Sequence, residues 1–489
     1  MAPSADSPSV PSNSDFGLTS FSNVINGKLS STSKTTHAIN PATKKPNWEV
    51  PISTPQDVDE AVAAARTAFK TWSKTTIAER RAALEGWSAE IAKHVAEFAK
   101  LLVIEQGKPL QWAMYEADVT SKQIVNTSKL EVPEEITEDT EERQVITRYT
   151  PLGVVVGIVP WNFPMSLACG KISPAVLTGN TIIIKPSPFT PYTAIKVVEL
   201  AQKFFPPGVV QVLTGDDSLG PQLTLHAGVD KITFTGSTAT GKRIMESASK
   251  TLKRVTLELG GNDPAIVCKS VDIPTVAPAI ATLAFLNSGQ ICLALKRIYI
   301  HSSIYPAFRD AMVAYTKTLK VGEGFEDGVF LGPIQNKMQY DRVQGFFDDV
   351  EKNGMSVAVG GKVPDSKGYF INPTIIDNPD DDSRIVVEEP FGPILPILPW
   401  ADEDDVIARA NNTQMGLGAS VWSNDLDEAA RIAKQLEAGS VWVNAHMEWM
   451  PSAAFAGHKQ SGIGAENGVA GLKAYCNVQV LYLKKRVGK

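Results

Sequence analysis

Lys231-Ile232-Thr233-Phe234-Thr235-Gly236-Ser237-Thr238-Ala239-Thr240-Gly241-Lys242-Arg243 is the stretch whose reading decides the fold. Its first five residues are β-branched, aromatic or strand-tolerant, and a glycine ends them. Small and hydroxylated residues then open a helical pattern. A helix starting at the end of a strand points its free backbone amides outward, where an anion can meet them. The stretch is nearly a P-loop, but Arg243 stands where a Ser or Thr would hold Mg²⁺, so nucleotide hydrolysis is the weaker reading. It also lacks the GxGxxG of the common dinucleotide turn, and on pattern alone a helix start that needs small residues explains it equally well.

Similar apolar runs lie on both sides: Val154 to Val159, Thr181 to Lys185, Val209 to Thr214 and Val255 to Leu259, separated by helical patterns. Continuous rather than alternating apolar runs are strands buried on both faces, so the spacing predicts parallel βαβ units in an open α/β sheet. A second α/β region is expected from Gly261 to about Asn444, with strands near Lys296 to His301, Ile394 to Leu398, Ala419 to Trp422 and Ser440 to Val443. Upstream, Thr54-Pro55 opens a helix with Val58, Ala61, Val62, Ala65, Ala68 and Phe69 at helical spacing, and Gly107-Lys108-Pro109 closes the helical region. Scaffold packing accounts for that region. Glu138 to Tyr149 and Tyr475 to Lys485 alternate like exposed strands and fit neither layer.

A chain of 489 residues, 43% apolar and 20% charged, is long enough for two or three packed domains. Its net charge of -6 gives no electrostatic reason to bind nucleic acid or an anionic membrane. The longest apolar runs, such as Gly153 to Pro160, are too short to cross a bilayer. Met1 to Thr19 is rich in Ser and Pro, carries Asp6 and Asp15 and no Arg, and reads as a mobile tail rather than a signal or transit peptide. Four scattered cysteines (Cys169, Cys268, Cys292, Cys476) make no disulfide framework, and the expected compartment is the cytoplasm. Six histidines without ligand spacing give no reason to expect a metal.

Cys292 lies in Asn287-Ser288-Gly289-Gln290-Ile291-Cys292, just after an apolar helical run. Small and polar neighbours can expose its sulfur to a cleft. Only a few per cent of a free thiol (pKa about 8.5) is thiolate at neutral pH, so a nucleophilic cysteine needs an activator elsewhere. Taken alone, the cysteine is more simply a small core residue. Its companions change that reading: Leu257-Glu258-Leu259-Gly260-Gly261-Asn262, Pro160-Trp161-Asn162-Phe163-Pro164, Phe234-Thr235-Gly236-Ser237, Glu388-Glu389-Pro390-Phe391-Gly392-Pro393, and a variant of a closing glycine-lysine-serine-glycine motif. In this order, from about Ile25 to the C-terminus, they resemble the aldehyde dehydrogenase superfamily, whose members oxidise aldehydes to carboxylic acids with a nicotinamide dinucleotide.

The resemblance implies a Rossmann-like cofactor domain (21–134 and 152–260), an α/β catalytic domain (261–470) and a small β oligomerisation arm (135–151 and 471–489) after a tail at 1–20. It implies Cys292 as nucleophile, Asn162 as oxyanion donor with the Cys292 amide, Glu258 as general base, and Lys171 and Glu466 as that base's link to solvent. Pro160, Trp161, Lys185, Gly215, Gly236, Ser237, Gly241, Leu259, Glu389 and Phe391 are the implied cofactor residues. Phe163, Leu167, Trp449, Met450 and Phe455 are the implied substrate residues. Many NAD-preferring members carry a glutamate three residues after the lysine that Lys185 matches. This chain has Pro188, so the cofactor is NAD or NADP, with NAD placed slightly ahead. Ala454-Phe455-Ala456-Gly457-His458-Lys459 replaces the usual Pro-Phe-Gly-Gly start, and Ala465 replaces an arginine common before Glu466. The tunnel implied is apolar and aromatic-tolerant, for a neutral aliphatic or aromatic aldehyde, and the chain is expected to self-associate as dimer or tetramer. Competing readings are a CoA-acylating relative, which often lacks the base at Glu258, a cysteine esterase with no redox step, and a non-catalytic structural protein.

Overall fold

The computed structural model describes residues 17–486. Most of the expected tail, and the last three residues of the expected arm, therefore lie outside the described residues. An eight-stranded sheet runs in the order Lys28–Ser30, Asn23–Ile25, Val210–Val212, Thr181–Lys185, Val154–Ile158, Lys231–Thr235, Arg254–Glu258, Gly462–Ile463. Its five central strands are parallel. The chain starts in the middle at Val154–Ile158, winds outward through Thr181–Lys185 and Val210–Val212, and then returns to lay Lys231–Thr235 on the other side of Val154–Ile158. That reversal opens a crevice at the carboxyl ends of the two strands, the place where open α/β sheets bind ligands.

Both sheet faces are covered, which explains the unbroken apolar runs. On one face Val154, Val156, Ile232 and Leu257 pack on Val58, Ala61, Val62 and Ala65 of the helix Pro55–Trp72. On the other, Val155, Ile182 and Val210 pack on the helices Pro164–Leu177 and Tyr192–Ala201. The helix Pro55–Trp72 starts as its sequence predicts: Thr54 Oγ1 accepts from the Asp57 amide at 3.2 Å while the Asp57 carboxylate accepts from the Thr54 amide at 2.7 Å.

The seven-stranded second sheet runs Val357–Val359, Thr374–Asp377, Ile394–Trp400, Leu295–His301, Asp263–Val267, Gly418–Trp422, Ser440–Val443. The chain leaves the first sheet at Glu258 and enters the second at Asp263, so the carboxyl edge of one meets the amino edge of the other across Leu259-Gly260-Gly261-Asn262. Whatever sits on those two edges faces one cleft. A third sheet of Glu135–Asp139, Arg143–Pro151 and Cys476–Lys484 joins the two segments that alternated in sequence, and Cys476–Lys484 is one of its edges.

Candidate active site

The helix Ile273–Phe285 is followed by a turn, Leu286–Gly289, in which Asn287 (φ 52°) and Ser288 (φ 57°) are both left-handed. Consecutive non-glycine residues in that region cost on the order of 1–3 kcal/mol each and persist only where the surroundings impose them. Here they do. Ser288 Oγ donates to the Gly332 carbonyl at 2.7 Å, Gln290 Nε2 donates to the Asn287 carbonyl at 3.0 Å, and Gln290 Oε1 accepts from the Gln335 amide at 2.8 Å. Gly289 must be glycine, since a Cβ there would fall 2.2 Å from the Gly392 carbonyl oxygen. The turn so fixed delivers Cys292 to the wall of a cavity of about 2140 Å³, just before the strand Leu295–His301.

Asn162 reaches the same cavity from the carboxyl edge of the first sheet. Its Nδ2 donates to the Gln290 carbonyl at 3.0 Å, which uses one of its two N–H groups and fixes the amide beside the cysteine turn. Its own carbonyl accepts from Lys108 Nζ at 3.0 Å. Lys108 is fully buried, ion-pairs with Glu116 at 2.5 Å and lies 3.9 Å from the centre of the Phe163 ring. The other Glu116 oxygen accepts from the amides of Met165 and Ser166 at the start of the helix Pro164–Leu177. A buried ion pair thus clamps the turn that carries Asn162.

Glu258 ends its strand buried at 3 % exposure, and neither carboxylate oxygen has a hydrogen-bond partner among the described residues. Burial, reinforced by the nearby Glu466 charge and opposed by Lys171, raises its carboxyl well above the usual range. Lys171 Nζ donates to Glu466 at 2.7 Å and to Thr233 at 3.2 Å, so a buried lysine and a half-buried glutamate form a pair close to Glu258. The thiol of Cys292 is itself pushed up to about 12, first by burial and then by Glu389, Asp263 and Glu258, with Lys296 opposing.

The crevice at the sheet's reversal fits a dinucleotide. Ser237 caps the helix Thr238–Ser249 by accepting from the Thr240 amide, and Gly236, Ser237, Thr238 and Thr240 line the cavity at that helix's N-terminus. Thr235 Oγ1, buried on the same wall, has no partner among the described residues. Lys185 stands at the mouth of its strand, and burial lowers its ammonium below the ordinary lysine range. Glu389 closes the far side, where its carboxylate accepts from the Gly261 amide at 3.2 Å. Beyond it Trp161 meets Phe391 edge-to-face, centroids 5.4 Å apart. Glu389 is not set in a strand. It lies in the irregular segment between the short helix Arg384–Val387 and the strand Ile394–Trp400, in which Phe391 is left-handed (φ 50°).

Of the residues singled out in sequence, the cavity brings together Cys292, Asn162, Glu258, Glu466, Pro160, Trp161, Phe163, Leu167, Lys185, Gly236, Ser237, Leu259, Glu389, Phe391, Trp449 and Phe455. Four do not line it. Lys171 lies one contact behind, on Glu466. Gly241 faces Leu259, 2.7 Å from where a Cβ would stand, and so lets the helix approach the strand end. Gly215 packs on Leu219 at the neighbouring strand end. Met450 is 63 % exposed to solvent. Sequence reading missed Lys108, Glu116 and Lys296, and also Trp112, Tyr115 and Val119 of the helix Leu110–Ser128, which line the wall near Phe163 and Leu167.

A crevice at the carboxyl edge of a parallel α/β sheet is where such folds bind dinucleotides, and here it opens onto a thiol, an amide and a buried carboxylate. Comparison with known proteins agrees. The model of the aldehyde dehydrogenase family matches residues 29–481, and the chain belongs to that family. It is 43% identical over 465 residues to a putative aldehyde dehydrogenase of Gibberella fujikuroi, covering 95% of this chain and 99% of the relative. It is 41% identical to an aldehyde dehydrogenase of a Fusarium species, covering 96% and 100%. The NAD+ complex of the Bacillus cereus aldehyde dehydrogenase superposes with a TM-score of 0.94 at 35% identity over 96% of this chain and 98% of that one. Betaine aldehyde dehydrogenase of Staphylococcus aureus with NAD+ gives 0.93 at 31% identity over 97% of each. The protein is an oxidoreductase that converts aldehydes to carboxylic acids with a nicotinamide dinucleotide.

Proposed function

We propose that the chain oxidises a neutral aliphatic or aromatic aldehyde through a thioester on Cys292, and that water releases the acid. The observation that carries this reading is the convergence of Cys292, Asn162 and Glu258 on one cavity from three distant stretches. Cys292 as thiolate attacks the carbonyl carbon, forming a C–S bond. The free N–H of Asn162 and the Cys292 amide hold the oxygen as it gains charge. Bound dinucleotide supplies the acceptor for the hydride that leaves that carbon with its electron pair. The cavity residues Glu389, Phe391, Gly236 and Ser237 would hold it. Glu258 then takes a proton from water as that water attacks the thioester, the C–S bond breaks, and Cys292 recovers its thiolate. Lys171 and Glu466 pass the proton outward.

A neutral substrate suits the wall near Phe163, where Trp112, Tyr115, Leu167, Trp449 and Phe455 supply apolar and aromatic surface. Of the cations that line the cavity, Lys185 stands in the dinucleotide crevice, away from this wall, and the others are engaged elsewhere: Lys108 with Glu116, Arg342 with Glu388, Arg409 with Asp381, and Arg297 with the carbonyls of Asn262, Arg409 and Ala410. Pro188 lines the crevice beside Lys185 and carries no carboxylate to repel a 2′-phosphate, so either dinucleotide is accepted, NAD ahead of NADP. Release by water rather than CoA follows from the buried base at Glu258. A dimer or tetramer joined through the sheet of Glu135–Asp139, Arg143–Pro151 and Cys476–Lys484 is proposed from that sheet's exposed edge strand. Cytoplasmic residence is proposed from four unpaired thiols. No helix among the described residues is long and apolar enough to cross a membrane.

The test is formation of reduced dinucleotide with an aldehyde panel, NAD and NADP separately, for wild type and Cys292→Ala. The expected result is turnover of uncharged aldehydes that needs dinucleotide and is abolished in the variant, which still binds cofactor. A strong preference for semialdehyde acids, or ester hydrolysis without oxidation, would overturn the reading.

A further inference from the structure

Lys296 lies on the second sheet's amino edge, four residues after the nucleophile, and is 3 % exposed. A buried ammonium requires compensation on every side. This one donates to the carbonyls of Ile291 at 2.9 Å, Cys292 at 2.6 Å and Ala294 at 3.3 Å, and ion-pairs with Glu389 at 3.2 Å. It therefore grips both the run of chain that carries the sulfur and the carboxylate that closes the cofactor crevice.

The charges around the thiol explain why such a group is needed. Glu389, Asp263 and Glu258 face Cys292 from three different segments and all disfavour a thiolate, and Lys296 is the cation set against them. Arg297, on the same strand, is turned away to the carbonyls of Asn262, Arg409 and Ala410. His446, buried behind the turn against the Leu293 carbonyl, is held neutral by burial, its ring lowered to about 3. Arg342 reaches Glu389 only through that residue's backbone carbonyl, at 3.0 Å.

We propose that Lys296 is a positioning residue for the nucleophile: its ammonium fixes the carbonyls on either side of Cys292 and supplies the cationic field that draws the thiol toward thiolate, and Glu389 tempers that field. The inference rests on Cys292 being the nucleophile.

The experiment is the pH dependence of Cys292 alkylation by iodoacetamide, read by mass at the Cys292 peptide, in wild type, Lys296→Met, Glu389→Gln and the Lys296→Met/Glu389→Gln double variant. An opposite charge a few ångströms away lowers an acid's pKa by about 1–3 units, so Lys296→Met is expected to slow alkylation at least about tenfold at every fixed pH below the thiol's midpoint. Glu389→Gln speeds it. Should Lys296→Met leave too costly an unpaired carboxylate to fold, the double variant removes both charges, and it is expected to alkylate more slowly than Glu389→Gln by the same factor. Unchanged profiles on loss of Lys296, with Cys292 still the alkylated residue, would overturn this inference alone. A wild-type Cys292 that alkylates no faster than Cys169 or Cys268 would overturn the nucleophile assignment beneath it.

Discussion

Replacing Glu258 by Gln removes a proton acceptor while keeping the side chain's shape, so it separates the two halves of the reaction. In the proposed mechanism acyl formation on Cys292 does not use the carboxylate, whereas hydrolysis of the thioester does. General-base assistance contributes about 10²–10⁴-fold, or about 2.7–5.4 kcal/mol of barrier. Stopped-flow absorbance of reduced dinucleotide is expected to show a burst approaching one equivalent per Cys292, followed by a steady rate at least about 100-fold below wild type. The pH profile carries a second signature. Burial and the Glu466 charge raise the Glu258 carboxyl, so it is protonated and inactive at low pH, and deacylation climbs as pH rises through that raised value. Glu258→Gln lacks that limb. Equal loss of burst and turnover, or a limb that survives the substitution, would refute the assignment.

Asn162→Ala removes one oxyanion donor and is expected to lower kcat/KM by about 10²–10³-fold, corresponding to about 2.7–4 kcal/mol, with dinucleotide affinity unchanged in a fluorescence titration. Asp263 is buried with its carboxyl raised from 3.8 to about 8, so its proton is kept in the fold and lost when unfolded. Stability tied to the neutral acid is present at low pH and lost as pH climbs between those values. Asp263→Asn is therefore expected to melt higher than wild type at pH 8 and to lose that advantage near pH 4, and a gap that does not depend on pH would contradict this. Val478 and Tyr482 on the strand Cys476–Lys484 are 64 % and 72 % exposed. Val478→Asp with Tyr482→Asp is expected to lower the mass seen by light scattering to that of a smaller assembly or monomer, and an unchanged mass would rule out this edge as the subunit contact.

The parallel strands were legible because burial on both faces removes alternation and leaves runs such as Thr181–Lys185 with no polar interruption until the end. The two alternating segments paired as one small sheet for the converse reason. The hairpin Asn23–Ile25 with Lys28–Ser30 went unread, since three-residue strands carry too little pattern; Asn26-Gly27, both at positive φ, was its one clear signal. Gly462–Ile463, which joins the first sheet beside Glu258, is shorter still. At the site, Cys292, Asn162 and Glu258 stood out only through their companions. Lys108, Glu116 and Lys296 gave no signal at all, because a charged residue in sequence is usually solvated and nothing local marks it as buried. Some of their partners lie far along the chain, as Asn162 does from Lys108 and Glu389 from Lys296, so only the folded chain brings them together.

The central claim is that a thioester forms on one particular sulfur, and mass spectrometry of the acyl-enzyme tests it most directly. Glu258→Gln mixed with dinucleotide and excess aldehyde, quenched in acid and digested, is expected to carry the acyl mass on the peptide containing Cys292, and to carry none when dinucleotide is omitted. An adduct on Cys169, Cys268 or Cys476, or no adduct in a variant that still shows the burst, would contradict it.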